Sequence, residues 1–276
     1  MTPTASDDLV LRADDDGVAR LTIHRPEAKN AMNAHVIARV HEHLDAVEHD
    51  DSVDIVIFTG SGDESFVAGA DINELAARTP VDGLRAVMQR LYERIANFSK
   101  PTIAAVNGYA YGGGHELALA CDIRIGSPAA QFALPETGLG IIPAAGGTQR
   151  LAKIIGVGRA TDVILTGRRL DANEALQAGL ISELVAPDEL LDAAHRTAQR
   201  IRRKGPLAIK LAKQVISHGF DADHQTGILL ERLAQAVLYS TEEKAEGTTA
   251  FLEKRRPDFD AVRHDRSHAA VSREGE

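Results

Sequence analysis

The chain has 276 residues, which is enough for one large domain or for one domain with a smaller appendage. Hydrophobic residues make up 44% of it, charged residues 26% and aromatic residues only 4%, so a globular core must be mainly aliphatic. The formal net charge of −9 disfavours general binding to nucleic acid or anionic membrane, although a local basic pocket could still take an anionic ligand.

The first part of the chain alternates between strand-like and helix-like patterns. Apolar segments at 10–13 and 18–24 flank a turn and predict two strands, and Asn33 is placed to cap a helix over about 34–48. Continuous apolar runs predict further buried strands, and helical spacing predicts further helices. These strands lie at 55–58, 102–106 and 123–125, and the helices at 83–98 and from the glycines before Glu116 to Cys121. The alternation predicts an α/β fold with largely parallel strand pairing.

From about Leu151 onward, helical periodicity dominates the sequence. Helices are predicted near 158–166, 188–203, 206–218, 223–239 and 242–254. We therefore expect an α/β core over 1–200 and a helical C-terminal region over 201–262. The charged tail, 263–276, has almost no large apolar residues and is predicted to be disordered.

The sequence also bears on the compartment. No apolar run approaches the roughly 18–20 residues that span a bilayer, and residues 1–12 contain no apolar stretch of signal-peptide length. The single cysteine, Cys121, cannot form an internal disulfide, which favours a reducing compartment. We therefore predict a cytoplasmic protein without a membrane or nucleic-acid partner.

Two segments of small residues are suited to bind an anion through backbone amides. Segment 65–72 follows a buried strand and lets a ligand approach its N–H groups, but alone it favours an ordinary strand-to-helix turn in which Asp71 caps the next helix. Segment 107–116 places three consecutive glycines before a helix that carries Glu116. Uncovered N–H groups at a helix N-terminus suit a developing oxyanion. A flexible glycine hinge is the alternative, and the adjacent glutamate favours a functional role.

A third segment, 134–151, contains one acidic residue among apolar, glycine and proline residues. Burial there would raise the pKa of the Glu136 carboxyl and make it a usable proton donor. The alternative is an exposed acid on a loop, which is the commoner fate of a single glutamate.

Together these segments resemble the crotonase, or enoyl-CoA hydratase/isomerase, family from about Leu21 to Phe259. Segments 24–32 and 251–259 look like the early and C-terminal motifs of that family. The resemblance implies a crotonase-like spiral of repeated ββα units with a C-terminal helical region. It also implies a homotrimer, or a hexamer of two trimers, that acts on an acyl-CoA substrate without a metal or a separate cofactor.

The resemblance assigns roles to particular residues. The backbone N–H groups of Ala70 and Gly113 would bind the thioester oxygen. Glu116 would hold and deprotonate water, and Glu136 would exchange the proton at the α carbon. The residues expected to bind coenzyme A are Ala68, Ala70 and Ile72 through adenine contacts, and Lys254 through the phosphates.

These matches predict an enoyl-CoA hydratase, because water addition needs both an acid and a base. An enoyl-CoA isomerase or another lyase of the same family is the alternative, since isomerases need one acid. A non-catalytic member that binds acyl-CoA or RNA is a further alternative, which the glutamate pair and the acidic charge disfavour.

Several other residues have plainer interpretations. His115 is expected to be structural, Cys121 a small buried hydrophobe, and Ala144, where many family members have glycine, to tighten the loop near Glu136. The histidines of the first long helix lack zinc-site spacing and are expected to form a solvated face; they are His35, His41, His43 and His49.

Overall fold

The computed structural model describes residues 9–262, which form two compact units. The first unit ends at Ala198 and the second begins at Gln199. Both glutamates of the predicted site lie in the first unit, whereas Lys254 lies in the second. The tail predicted to be disordered, 263–276, lies outside the described residues.

The elements follow one another in a regular order along the chain. The strands are β1 (Val10–Asp15), β2 (Val18–Ile23), β3 (Ile55–Gly60), β4 (Ser65–Val67), β5 (Thr102–Val106), β6 (Tyr109–Tyr111), β7 (Ile123–Gly126), β8 (Gln131–Ala133), β9 (Leu170–Asp171) and β10 (Glu183–Leu184). The helices are α1 (Ala34–Glu48), α2 (Ile72–Ala76), α3 (Pro80–Arg85), α4 (Val87–Ala96), α5 (Gly113–Ala120), α6 (Gly147–Ile155), α7 (Val157–Thr166), α8 (Ala172–Gln177), α9 (Leu190–Arg202), α10 (Pro206–Asp221), α11 (His224–Tyr239) and α12 (Glu242–Leu252). Short 3₁₀ turns occupy Pro26–Ala28, Pro135–Leu139 and Pro187–Glu189.

The strands form two sheets in the first unit. One sheet has the order β1-β2-β3-β5-β7-β10 and the other has the order β4-β6-β8-β9. Pairing is antiparallel between β1 and β2 and between β8 and β9, and parallel elsewhere. The predicted α/β class and the parallel pairing are therefore confirmed. All six residues of β3 are buried, as its unbroken apolar run predicts.

The second sheet arises from a repeated step. A long strand in the first sheet is followed after a tight connection by a three-residue strand in the second, as in β3 to β4 and β5 to β6. Glycine is required at these connections: a Cβ at Gly60 would lie 2.3 Å from the Phe66 carbonyl oxygen, and one at Gly108 would lie 2.2 Å from that of Glu64. This repetition is the spiral of ββα units that the family resemblance implies.

Helix α1 is placed as its sequence predicts. The side chain of Asn33 accepts a 2.8 Å hydrogen bond from the backbone N–H of Val36, which caps the first turn. The predicted apolar face is buried and consists of Val36, Ile37, Val40, Leu44 and Val47. Capping and burial of one face together explain why this helix could be located from sequence.

The continuous helix predicted over 83–98 is wrong. Ala86 has a φ of +48°, which ends α3 and allows α4 to begin at Val87. Leu84, which lies within the predicted helix, is 84% exposed. The buried residues of α4 are Met88, Leu91, Tyr92 and Ile95. Two helices therefore replace one, since only the second packs into the core.

The second unit is helical, as predicted. Neither α10 nor α11 contains a buried residue, although both carry large apolar side chains. Exposed ones include Ile216, Phe220, Leu233 and Val237. Within residues 9–262, every helix is too short or too polar to cross a bilayer.

Candidate active site

Helix α5 brings the glycine segment and Glu116 into the core of the first unit. All eight of its residues are buried. A Cβ at Gly114 would lie only 1.8 Å from the carbonyl oxygen of Val67, so the helix approaches β4 more closely than any side chain would allow. This contact fixes the N-terminus of α5 beside the loop that follows β4.

The two amides expected to bind an oxyanion lie close together. A Cβ at Gly113 would be 3.6 Å from the backbone nitrogen of Ala70. The neighbouring amides are occupied, since Ala68 N–H donates to the Lys29 carbonyl and Asp71 N–H donates to that of Met32. Within residues 9–262, no hydrogen-bond acceptor is found for the amide of Ala70 or Gly113. Both N–H groups are therefore available to a ligand.

Glu116 is held by two other backbone amides. Its Oε1 accepts hydrogen bonds of 2.7 Å from Ala145 N–H and 2.9 Å from Gly147 N–H. The residue is 3% exposed. Burial raises the pKa of this carboxyl above its ordinary value, while the two amides and the charge of Arg150 oppose that rise. The two amides and Arg150 thus favour the ionised carboxylate, whereas burial favours the protonated form.

Glu136 has a different environment. It belongs to the 3₁₀ turn Pro135–Leu139, and its Oε2 is buried without a hydrogen-bond partner in the described part of the chain. Burial, helped by the negative charge of Glu116, raises the pKa of Glu136 to about 7. The residue as a whole is half-buried, and its pKa is raised as predicted. A Cβ at Gly112 would lie 3.0 Å from Oε1 of Glu136, so the carboxyl lies beside the glycines of segment 107–116.

The loop that binds Glu116 was not recognised as part of the site from the sequence. Segment 134–151 was singled out for Glu136, yet Ala145 and Gly147 near its C-terminal end hold Glu116 instead. The glycines at 146 and 147 were the available signal, but no sequence rule links them to a residue 30 positions away. Ala144 is exposed and directly precedes this loop.

His115 points into packed side chains. The residue is fully buried, and its ring lies 5.3 Å from that of Phe132. Burial lowers its pKa to about 3, so the imidazole is neutral at ordinary pH. These surroundings agree with the predicted structural role, and Cys121 is buried as predicted.

The histidines of α1 depart from their prediction. His35 and His49 are exposed, but His41 and His43 are half-buried, and Nε2 of His43 lies 3.0 Å from the carbonyl oxygen of Val10. The prediction of a solvated face is therefore wrong for two of the four histidines. In the part of the chain that the structure describes, no group of three or more His, Cys, Asp or Glu residues is placed to hold a metal ion.

The residues expected to contact coenzyme A lie in both units. Ala68 and Ala70 are half-buried on the loop after β4, and Ile72, the first residue of α2, is 57% exposed. Asp71 caps α2 by accepting a hydrogen bond from Asn73 N–H, as its plainer interpretation predicted. Lys254 is exposed in the second unit. Contact of these residues with coenzyme A stays a prediction.

A ββα spiral that carries a buried and a half-buried carboxyl, Glu116 and Glu136, beside a pair of uncovered amides defines an enzyme of the crotonase type. Residues 13–262 match the enoyl-CoA hydratase/isomerase family, and the chain belongs to this family. The resemblance inferred from sequence motifs is confirmed.

Individual relatives support the same assignment. A short-chain-enoyl-CoA hydratase of Clostridium acetobutylicum is 43% identical over 241 residues, which cover 87% of this chain and 92% of that protein. A 2,3-dehydroadipyl-CoA hydratase of Escherichia coli is 41% identical over 88% of this chain and 94% of its own length. The crystal structure of an enoyl-CoA hydratase from Bacillus anthracis superposes with a TM-score of 0.88 at 37% identity, covering 91% of this chain and 99% of the other.

Proposed function

We propose that this protein is an enoyl-CoA hydratase, a lyase that adds water reversibly across the 2,3 double bond of an enoyl-CoA thioester. The observation that carries the proposal is a pair of carboxyls, Glu116 and Glu136, that interact electrostatically but have opposed environments. One is bound by amides that favour the anion, and the other has a buried oxygen without a donor. Such a pair supplies a base and an acid together.

The amides of Ala70 and Gly113 would act on the thioester carbonyl. As water attacks the β carbon, the π electrons move toward the carbonyl and negative charge develops on its oxygen. Two N–H groups already fixed in place stabilise that charge without reorganisation during the reaction. They come from separate segments, after β4 and at the start of α5, and would both donate to that oxygen.

The two glutamates would then divide the proton transfers. Glu116, whose ionised form the amides favour, accepts a proton from the attacking water as the carbon–oxygen bond forms. Glu136, whose burial favours the protonated form, donates a proton to the α carbon as the enolate collapses. The pair carries one proton before and after hydration, and the reverse steps remove water.

Assembly and coenzyme A binding complete the proposal. We propose that another copy of the chain covers the exposed apolar residues of α10 and α11 in a trimer or in a hexamer of two trimers. Lys254 would bind a coenzyme A phosphate, and the loop containing Ala68, Ala70 and Ile72 would accept the adenine. The cytoplasmic location stays a prediction, and so does turnover without a metal or a separate cofactor.

The decisive experiment compares Glu116→Gln and Glu136→Gln with the wild type on crotonyl-CoA. Glutamine keeps the shape but cannot exchange a proton, so each variant should lose about 10²–10⁴ in kcat. Ligand affinity should change little. The double variant should be scarcely worse than the poorer single one, because the two groups act as a unit.

The same variants separate hydration from the alternatives. An isomerase would shift the double bond of a 3-enoyl-CoA and tolerate one of the two substitutions. A binding-only protein would show no turnover as wild type. Dialysis against a strong chelator should leave hydration intact, and activity that returns only with a divalent ion would contradict the metal-free mechanism.

A further inference from the structure

The side chain of Arg150 lies on the loop that holds Glu116. Its Nη1 donates a 2.9 Å hydrogen bond to the carbonyl oxygen of Ala145. A Cβ at Gly146 would lie 2.0 Å from the same nitrogen and 2.8 Å from Cζ, so the guanidinium packs directly against the glycine backbone. Gly146 has a φ of +105°, which favours glycine. The loop conformation and the position of the guanidinium are therefore mutually dependent.

Arg150 also binds this loop through its own backbone. Its N–H donates a 2.8 Å hydrogen bond to the carbonyl oxygen of Gly146. Side chain and backbone together fix two successive carbonyl groups, those of Ala145 and Gly146. The N–H groups of Ala145 and Gly147, in the same stretch of chain, are the donors to Oε1 of Glu116. Loss of the guanidinium would remove the bond to the Ala145 carbonyl and leave only the backbone bond, which any residue other than proline at 150 could make, to hold this stretch.

Charge acts in the same direction as geometry. Arg150 is half-buried, and its positive charge favours the ionised form of Glu116. The other titratable groups that interact with this carboxyl or with Arg150 come from several elements: Tyr92 and Glu93 on α4, Cys121 after α5, and Glu136 in the 3₁₀ turn. These neighbours contribute no positive charge. The positive charge of Arg150 therefore acts against both the burial of Glu116 and the negative charge of the nearby acids.

We propose that Arg150 is a positioning residue for hydration, which holds the loop 145–147 so that two amides reach the carboxyl of Glu116. This inference rests on the proposed hydratase function. It separates two contributions that different substitutions can remove, namely the geometry of the guanidinium and its charge.

The test measures kcat, KM and the pH dependence of kcat/KM for Arg150→Met, Arg150→Gln and Arg150→Lys. Arg150→Met should lower kcat by about 10²-fold, the usual effect of a displaced catalytic group, with little change in KM. The acidic limb of its kcat/KM profile should move to higher pH, because Glu116 without the nearby positive charge protonates more readily. Arg150→Gln should move the limb similarly, whereas Arg150→Lys should keep the wild-type limb with a reduced kcat.

A matched control and a double variant make the outcome decisive. Arg94→Met removes another half-buried arginine, which donates hydrogen bonds to the backbone carbonyl of His41 and to the carboxylate of Asp45 on α1. This control should leave the pH profile unchanged. In a Glu116→Gln background, Arg150→Met should cause no further loss of kcat, because its target is already absent.

Two results would overturn the inference. One is a folded Arg150→Met or Arg150→Gln enzyme with the wild-type acidic limb and kcat; the other is an effect confined to KM. If Arg150→Met does not fold, the comparison of the Gln and Lys variants carries the same test. Failure of the hydratase proposal is recognised separately, because the wild-type protein would then show no hydration of crotonyl-CoA.

Discussion

Hydration by a singly protonated carboxyl pair should give a bell-shaped dependence of kcat/KM on pH. The active form has Glu116 ionised and Glu136 protonated. Activity should fall below the pKa of Glu116, which burial raises above its ordinary value of 4.5. Activity should fall again above the pKa of Glu136, which lies at about 7. A glutamate with an unshifted pKa in the position of Glu136 would lose its proton well below neutral pH.

The size of the alkaline fall follows from the pKa of Glu136. With a value of about 7, this carboxyl is half protonated at neutral pH, and the protonated fraction is about a tenth at pH 8 and about a hundredth at pH 9. We therefore expect kcat/KM to decrease about tenfold per pH unit above neutrality. Hydration takes up no net proton, so the equilibrium constant does not depend on pH, and the reverse dehydration must follow the same curve.

The assay is the loss of ultraviolet absorbance of the conjugated thioester of crotonyl-CoA between pH 5 and pH 9. Dehydration of the 3-hydroxyacyl-CoA is followed by the opposite change. Glu136→Gln should remove the alkaline limb from whatever activity remains. A flat wild-type profile above pH 7 would refute the assignment of Glu136 as the acid, as would an alkaline limb that persists in Glu136→Gln.

The remaining predictions concern binding and stability. Lys254→Ala should raise KM more than it lowers kcat for crotonyl-CoA, and should have little effect on a pantetheine substrate without phosphates; equal effects would exclude the phosphate contact. The free energy of unfolding of the wild type should fall as pH rises from about 4.5 through about 7, because Glu136 ionises less readily in the folded protein. Denaturant unfolding of Glu136→Gln should show no such fall from this residue. Gly114→Ala should unfold or severely destabilise the protein because its Cβ would meet Val67, whereas Gly138→Ala, with no atom within 4 Å, should be neutral in thermal melts.

The elements found from the sequence are those whose signals are local. Asn33 and the apolar residues after it specify α1 within one continuous stretch, and the unbroken runs of β3 and β5 specify strands that are buried on both faces. Segments 107–116 and 134–151 drew attention to Glu116 and Glu136 because each combines glycine with an isolated acid. The roles of the two carboxyls came from the family resemblance, because local composition left an exposed loop acid as the alternative for Glu136.

The features that sequence reasoning missed depend on distant parts of the chain. Strands β4, β6 and β8 have three residues each, too few for a periodic pattern. The connections that lead into β4 and β6 require glycine, at Gly60 and Gly108. The left-handed Ala86 carries no sequence signal of its own. The hydrogen bonds from Ala145 and Gly147 to Glu116 join parts of the chain that meet only in the folded molecule.

The break at Ala86 has an evolutionary consequence. Helix α4 carries Met88, whose sulfur occupies the space into which a Cβ at Gly113 would project. Helix α3, on the other side of the break, buries no residue and exposes Val81 and Leu84. Because the left-handed Ala86 ends α3 and begins α4, mutations in α3 can accumulate without altering the packing beside the amide pair. Selection can therefore reshape the outer surface of the protein at 80–85 while the chemistry on the inner side is retained.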